Sequence, residues 1–207
     1  MPANTENQKY QQQRLQAIRA AASVFANKGF HGSSTRDIAA HMGIKQGSLY
    51  YYFRSKEEAL AEVCLYAMRD YAQQMELITQ SDQPFEAKLL AVITSHVSKY
   101  REQNGAMKVY HAERLYLPEA KREKLYQLGS GYRQNLEQVF EEGQRAGSVR
   151  PDVDCHFAAQ AVIGMCNAWG ELIARDPNLD LFNVIRKCTD LMNNGFTNRP
   201  KNQQEKQ

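Results

Sequence analysis

The stretch Ser33-Ser34-Thr35-Arg36-Asp37-Ile38-Ala39-Ala40-His41-Met42-Gly43-Ile44-Lys45-Gln46-Gly47-Ser48-Leu49-Tyr50-Tyr51-Tyr52-Phe53-Arg54-Ser55-Lys56-Glu57-Glu58 decides how the chain folds. Ser34 with Asp37 three residues on is a capping box, the start of a short helix. Ile38, Ala39 and Met42 give that helix an inward face, and Gly43 ends it. Ile44 fills the gap before a second short helix, Lys45 to Phe53, whose Leu49 and Phe53 fall one turn apart. Ser55 to Glu58 is another capping box and opens a third helix. Two short helices about a glycine turn form a helix-turn-helix layout, a device that lays its second helix in a DNA major groove.

Charge and side-chain size point the same way. Lys45 and Lys56 stand at helix starts, where the helix dipole disfavours a cation by roughly 0.3–1 kcal/mol; a phosphate would complete both sites, and helix-start N–H groups also bind phosphate. Gly47 inside the second helix costs ~1 kcal/mol against alanine. It serves either close approach of the backbone to a ligand or tight packing against the preceding helix.

The 207-residue chain carries a net charge of +3, unevenly spread. Up to Lys56 eight basic residues (Lys9, Arg14, Arg19, Lys28, Arg36, Lys45, Arg54, Lys56) face only Glu6 and Asp37, a net of +6, so the rest carries −3. A basic front on a mildly acidic body suits an anionic partner such as nucleic acid. Hydrophobic residues at 43% and charged ones at 24% are ordinary for a globular protein. There is no run of 18 apolar residues, no apolar segment in Met1–Gln13 of the signal-peptide kind, and no Cys-x-x-Cys among Cys64, Cys155, Cys166 and Cys188. No membrane span, disulfide framework or metal site is expected, and the cytoplasm is the expected compartment.

Outward from the motif, Met1–Gln13 is Gln/Asn-rich and expected to fray, with Lys9 near a polyanion. Leu15, Ile18, Ala22 and Phe25 set a helix over Arg14–Lys28, stopped by Gly29. Helices are expected from Lys56 through Ile78, over Phe85–Glu102 after Pro84, over Ala106–Leu115, from Pro118 to about Arg145, over Val153–Ala174 and over Leu181–Phe196; residues 198–207 read as a disordered tail. The expected fold is all-α with about nine helices: a DNA-binding domain over residues 1–56 and a larger helical domain over 57–197. Gly-x-Ser-x-Gly, His-Glu-x-x-His and phosphate-loop motifs are absent, and His96, His111 and His156 lie on different helices, so no catalytic residue or cofactor is assigned. A helical binding protein without DNA affinity is the competing reading, which the front-loaded charge speaks against.

Gly29-Phe30, Ser34-Thr35, Ile38-Ala39, Gly43-Ile44, Gly47-Ser48-Leu49-Tyr50-Tyr51-Tyr52-Phe53 and Ser55-Lys56-Glu57 together resemble the N-terminal domain of the TetR family of transcriptional regulators over about 50 residues. Lys45 departs from the capping serine often found there. The resemblance implies a ligand-responsive repressor that binds a palindromic double-stranded operator as a homodimer. Thr35 and Arg36 would touch phosphate and reach toward a base; Lys45, Gln46 and Ser48 would face the groove, with Gln46 suited to adenine and lysine to guanine. Gly47 belongs to the same surface, Tyr50 and Tyr51 would give hydroxyls to phosphates, Lys56 would clamp a flanking phosphate, and Tyr52 and Phe53 fall to the core.

The same resemblance implies dimerisation through the last two long helices and an effector pocket between the central ones. Met68, Tyr71, Met75, Tyr100, Met107, Tyr110, His111, Tyr126, Cys166 and Trp169 could line that pocket; each reads equally as ordinary core. Glu113-Arg114, the run Lys121-Arg122-Glu123-Lys124, and Ala161 to Asn167 resemble the acyl-CoA-responsive branch, in which a basic pocket mouth suits the CoA phosphates. The charge run reads equally as a solvated helix face.

Overall fold

The computed structural model describes residues 3–103 and 105–197, with the side chains of residues 3–6 left out of the description. Within these residues nine α-helices follow in order: α1 Ala3–Lys28, α2 Thr35–His41, α3 Gln46–Leu49, α4 Lys56–Thr79, α5 Phe85–Glu102, α6 Ala106–Glu113, α7 Glu119–Arg145, α8 Cys155–Arg175 and α9 Leu181–Phe196. A 3-10 turn, Arg114–Tyr116, follows α6. Among the described residues the one β-type pairing is an isolated antiparallel bridge between Val149 and Thr197. The fold is all-α, as the periodicity predicts. No helix among the described residues is long and apolar enough to cross a membrane.

Two helices differ substantially in length from the expectation, and the other bounds shift by at most two residues. The Gln-rich start does not fray: α1 is helical from Ala3, and Tyr10 packs its ring on Tyr51 and Tyr52, which gives those first turns a tertiary partner. In contrast α3 is one turn and ends at Leu49 instead of continuing to Phe53. Both Tyr52 N–H and Phe53 N–H donate to the Leu49 carbonyl, so the chain turns there and buries Phe53 beside the motif. The expected tail at 198–207 lies outside the described residues.

By compactness the chain forms two units, one running to Ala72 and resuming over Lys99–Gly129, the other comprising Gln73–Ser98 and the residues from Ser130 onward. The first unit contains the helix-turn-helix. Its core is Ile18, Ala21, Ala22 and Phe25 from α1, Ile38 and Ala39 from α2, Leu49 and Phe53 from the α3 region, and Ala59, Leu60, Val63 and Cys64 from α4. Gly43, at φ +67°, makes the turn between α2 and α3 in the left-handed region that a side chain disfavours, and Ile44 N–H then closes back on the Ala39 carbonyl at 3.0 Å. In the second unit Leu89, Val92, Ile93, Leu136, Val139, Phe140, Ala159, Val162, Cys166 and Val184 form the core. Asp154 and Asp180 cap α8 and α9 by accepting from Phe157 N–H and Asn183 N–H.

The cap of α2 is a complete capping box. Ser34 Oγ accepts from Asp37 N–H at 3.2 Å, and Asp37 Oδ2 accepts from Ser34 N–H at 2.8 Å. At the start of α4, Ser55 Oγ accepts from Glu58 N–H, but the Glu58 carboxylate reaches one residue further back, to Arg54 N–H at 2.7 Å. The Lys28 ammonium, the Ser34 hydroxyl and the Ser34 N–H together hold the Asp37 carboxyl at about 2, below its ordinary 3.8. A depressed carboxylate stabilises the fold above its unfolded pKa and loses that contribution as pH falls through the folded one. Chemical unfolding of wild type and Asp37→Asn should therefore differ most near neutral pH, and the gap should close between about pH 4 and pH 2. A gap independent of pH would remove the carboxylate from the account.

Candidate DNA-reading surface and regulatory core

Around α3 the burial pattern splits sharply. Leu49 and Phe53 are buried, whereas Arg36, Lys45, Gln46, Gly47, Ser48, Tyr50 and Tyr51 are exposed and Thr35 is half-exposed. Two buried apolar side chains thus fix a single helical turn whose remaining residues all face outward. Gln46 Nε2 donates to Thr35 Oγ1 at 3.1 Å, which ties α3 to the start of α2 and brings two of the expected groove residues together. Lys45 is the N-cap of α3 and makes no side-chain capping bond. A Cβ built at Gly47 would meet no atom within 4 Å. The chain's own packing therefore does not require glycine there, so tight packing against the preceding helix does not account for it.

The eight basic residues of the front separate into two groups. Arg14 pairs with Glu62 at 2.8 Å, Arg19 donates to the Tyr66 hydroxyl, Lys28 pairs with Asp37, and Lys56 is turned inward. Lys9, Arg36, Lys45 and Arg54 are exposed, and their side chains make no ion pair or hydrogen bond among the described residues. Lys56, expected to clamp a flanking phosphate, turns its side chain toward the loop before α2. Its ammonium donates to the carbonyls of Phe30 and Ser33 at 2.8 and 2.9 Å and lies 4.4 Å from the Phe30 ring centroid. Two of its three N–H donors are thus spent inside the domain. Arg54, two residues earlier, is the exposed cation at that corner and was not singled out by the sequence. Tyr52, expected in the core, is half-buried, and its hydroxyl donates to Gln13.

Behind the motif, α6 grips the loop that Lys56 holds from the other side. Glu113 Oε1 accepts from Phe30 N–H at 3.2 Å, Tyr116 stacks on the Phe30 ring, and Lys108 donates to the Ala26 carbonyl at the end of α1. On the same helix Tyr110 and His111 meet residues expected to contact an effector. The Tyr100 hydroxyl lies 3.3 Å from His111 Nε2, with the two rings near parallel and their centroids 6.5 Å apart, and a Cβ at Gly129 would stand 3.9 Å from both Met68 Cε and the Tyr110 hydroxyl. Arg114 lies over the Tyr110 ring and donates to the carbonyls of Tyr110 and His111. Burial raises the Tyr110 hydroxyl, with Arg114 opposing, and pushes the Cys64 thiol to about 12, so Cys64 stays a neutral thiol.

The ten expected effector residues are spread over both units. Met68, Tyr71, Tyr100, Met107, Tyr110, His111 and Tyr126 belong to the first unit, and Met75, Cys166 and Trp169 to the second. Tyr126, 51% exposed, and Trp169, 36% exposed, sit on surfaces. In the second unit the sequence missed a buried polar group: His96 Nδ1 lies 2.9 Å from the Tyr132 hydroxyl, and Nε2 lies 2.9 Å from Asn167 Oδ1. His96 falls on the inner face of α5, but its partners stand 36 and 71 residues away, where spacing carries no signal. An open cavity of about 660 Å³ in that unit is lined by polar groups such as Gln80, Asp82, Lys88 and Glu142 and includes none of the ten. Among the described residues no three His, Cys, Asp or Glu side chains are placed to hold a metal.

Two sequence profiles match the chain: bacterial regulatory proteins of the tetR family over residues 17–63, and the tetracyclin repressor-like C-terminal domain over residues 82–171. The fatty acid metabolism regulator protein of Bacillus subtilis (strain 168) is 26% identical over 189 residues, covering 89% of this chain and 96% of the relative. The HTH-type transcriptional repressor KstR2 of Rhodococcus jostii (strain RHA1) is 31% identical over 146 residues, 70% of this chain and 72% of the relative. The crystal structure of the transcriptional regulator FadR from Bacillus subtilis in complex with stearoyl-CoA superimposes with a TM-score of 0.71 at 26% identity, covering 87% of this chain and 97% of that one. Profiles, relatives and fold agree with the outward-facing motif, and the chain belongs to the TetR family of DNA-binding transcriptional regulators.

Proposed function

We propose that the chain is a cytoplasmic repressor that binds a palindromic operator as a homodimer and is released by a long-chain acyl-CoA. Residues 1–56 carry the DNA-reading part, residues 57–197 the effector and dimer functions. The observation that carries the reading is the outward set Thr35, Arg36, Lys45, Gln46, Gly47, Ser48, Tyr50, Tyr51 and Arg54, anchored from within by Leu49 and Phe53. Arg54 takes the flanking-phosphate role. Gln46 reads base edges, and the tyrosine hydroxyls take phosphates.

A dimer through α8 and α9 accounts for the apolar side chains those helices expose: Phe157 at 69%, Trp169 and Leu172 on α8, and Phe182 at 76% and Leu191 on α9. Paired with their two-fold mates they would form a four-helix bundle, with reading helices about one DNA turn (~34–36 Å) or more apart. The acyl-CoA assignment rests on the similarity to the fatty acid metabolism regulator and to the regulator crystallised with stearoyl-CoA. Tyr100, Met107, Tyr110, His111 and Arg114 supply an amphipathic wall of the kind a thioester and its acyl chain require. Release follows if the ligand binds more tightly to a dimer geometry that no longer spans successive grooves.

A duplex recovered by in vitro selection with the full chain tests the DNA reading. Three exposed cations per protomer (Arg36, Lys45, Arg54) give log K against log salt a slope of about −5 or steeper for the dimer. Gln46→Ala should relax preference at one base by about 1–3 kcal/mol, while Arg54→Ala should weaken binding to all duplexes alike; the opposite pattern would exchange their roles. Phe182→Glu should leave a folded monomer by light scattering that no longer retards the duplex. If it stays dimeric, α9 is not in the interface. Stearoyl-CoA should raise the thermal midpoint and release the duplex, with free CoA doing neither; at 100 times its Kd the stabilisation is ≈ 2.7 kcal/mol. Release by CoA alone would move the recognition to the headgroup.

A further inference from the structure

The first turns of α1 lie outside the motif, yet they are built onto it. Tyr51 is the most exposed aromatic beside α3, at 71%, and its ring is nonetheless held between two others. Tyr10 meets it edge-on at 5.5 Å and 88°, and Tyr52 meets it edge-on at 5.6 Å and 86°. Tyr10 also stacks on Tyr52 at 6.4 Å and 21°, while Tyr52's hydroxyl donates to Gln13 Oε1, one turn along α1 from Tyr10. The Tyr10 side is therefore fastened at two places to the residues that follow the reading helix. Around it Asn7, Gln8, Lys9, Gln11, Gln12 and Gln13 are all exposed. Edge-to-face geometry is the favourable one for aromatic pairs, and it fixes a rotamer that an exposed tyrosine would otherwise have to give up on binding. Lys9, next to Tyr10, is one of the four exposed front cations whose side chains are unpaired among the described residues.

We propose that the first turns of α1 are part of the DNA-reading surface: Tyr10 is a positioning residue that presets Tyr51 for its contact, and Lys9 adds a phosphate contact beyond the helix-turn-helix. The inference rests on the DNA-binding reading above and extends it to a segment outside residues 17–63, the part matched by the family's N-terminal profile. Tyr10 acts through its ring, so Tyr10→Phe should bind as wild type does.

The experiment uses the full-length chain and the duplex that wild type selects from a randomised pool. Tyr10→Ala should weaken binding about tenfold, the order expected from freeing one side chain in each protomer, with the thermal midpoint and dimer mass unchanged. Tyr51→Ala should cost affinity in wild type and nearly nothing in the Tyr10→Ala background, the non-additivity of side chains that act as a unit. Lys9→Gln should lower the dimer's salt slope from about −7 to about −5. It replaces an exposed side chain, so it decides the matter if Tyr10→Ala fails to fold. Wild-type affinity in Tyr10→Ala, additive losses with Tyr51→Ala, or an unchanged slope in Lys9→Gln overturns the proposal while leaving the DNA-reading function standing. Failure of wild type to select any duplex overturns both.

Discussion

The Phe30 peptide is held from two sides by opposite charges. Its carbonyl accepts from the Lys56 ammonium and its N–H donates to the Glu113 carboxylate, while the same ammonium lies over its ring and Tyr116 stacks with it. Hydrogen bonds to charged groups contribute roughly 1.5–3 kcal/mol each, more than neutral ones. That one residue is where the end of α1, the approach to α2, the start of α4 and the end of α6 are fixed to each other. The orientation of α2 and α3 depends on it, because the loop from Gly29 to Ser33 is their only lead-in from α1. Lys56 thus acts within the domain as a strut between the start of α4 and the loop before α2.

A strut of this kind explains how an all-helical regulator can keep a reading turn as short as α3 in register. A four-residue helix has no stability of its own, since nucleation alone is unfavourable by a factor near 10⁻³. Leu49 and Phe53 supply burial, Gln46 bonds to Thr35, and the Tyr10–Tyr51–Tyr52 group closes the far end. Every one of these attachments is tertiary. The geometry presented outward is consequently a property of the whole first unit, to which α6 is joined through Glu113 and Lys108.

Helix boundaries were legible because punctuation residues act locally. The Ser34–Asp37 box, the turn at Gly43, Pro84 before α5 and the limits of α5 and α9 follow from chemistry within four residues of each boundary. What could not be read is what depends on direction or on distant partners. Arg54 and Lys56 are two cations separated by a single serine, and only the position of the Phe30 and Ser33 carbonyls tells which of them turns inward. The aromatic run Tyr50 to Phe53 looks like a continuing helix; the turn after Leu49 follows from where Phe53 is buried. The Gln-rich start of α1 has no apolar stripe, and what fastens it to the motif is Tyr10 on Tyr51 and Tyr52 and the Tyr52 hydroxyl on Gln13. The His96–Tyr132–Asn167 group joins three helices far apart in sequence.

The magnitudes set a condition on how the effector acts in the proposed mechanism. Coupling free energies between an effector and a second ligand typically run to about 1–3 kcal/mol, or roughly 5- to 150-fold in affinity. A single charge-assisted bond at Phe30 is of the same size. In that mechanism an acyl-CoA that shifted α6 enough to lengthen the Glu113 contact would supply a change of this size. Tyr110 and His111 lie on the same two-turn helix as Lys108 and Glu113, so the displacement has only the width of α6 to cross. The demand on the ligand is correspondingly modest: it must favour one position of α6 over another by about the energy of one hydrogen bond.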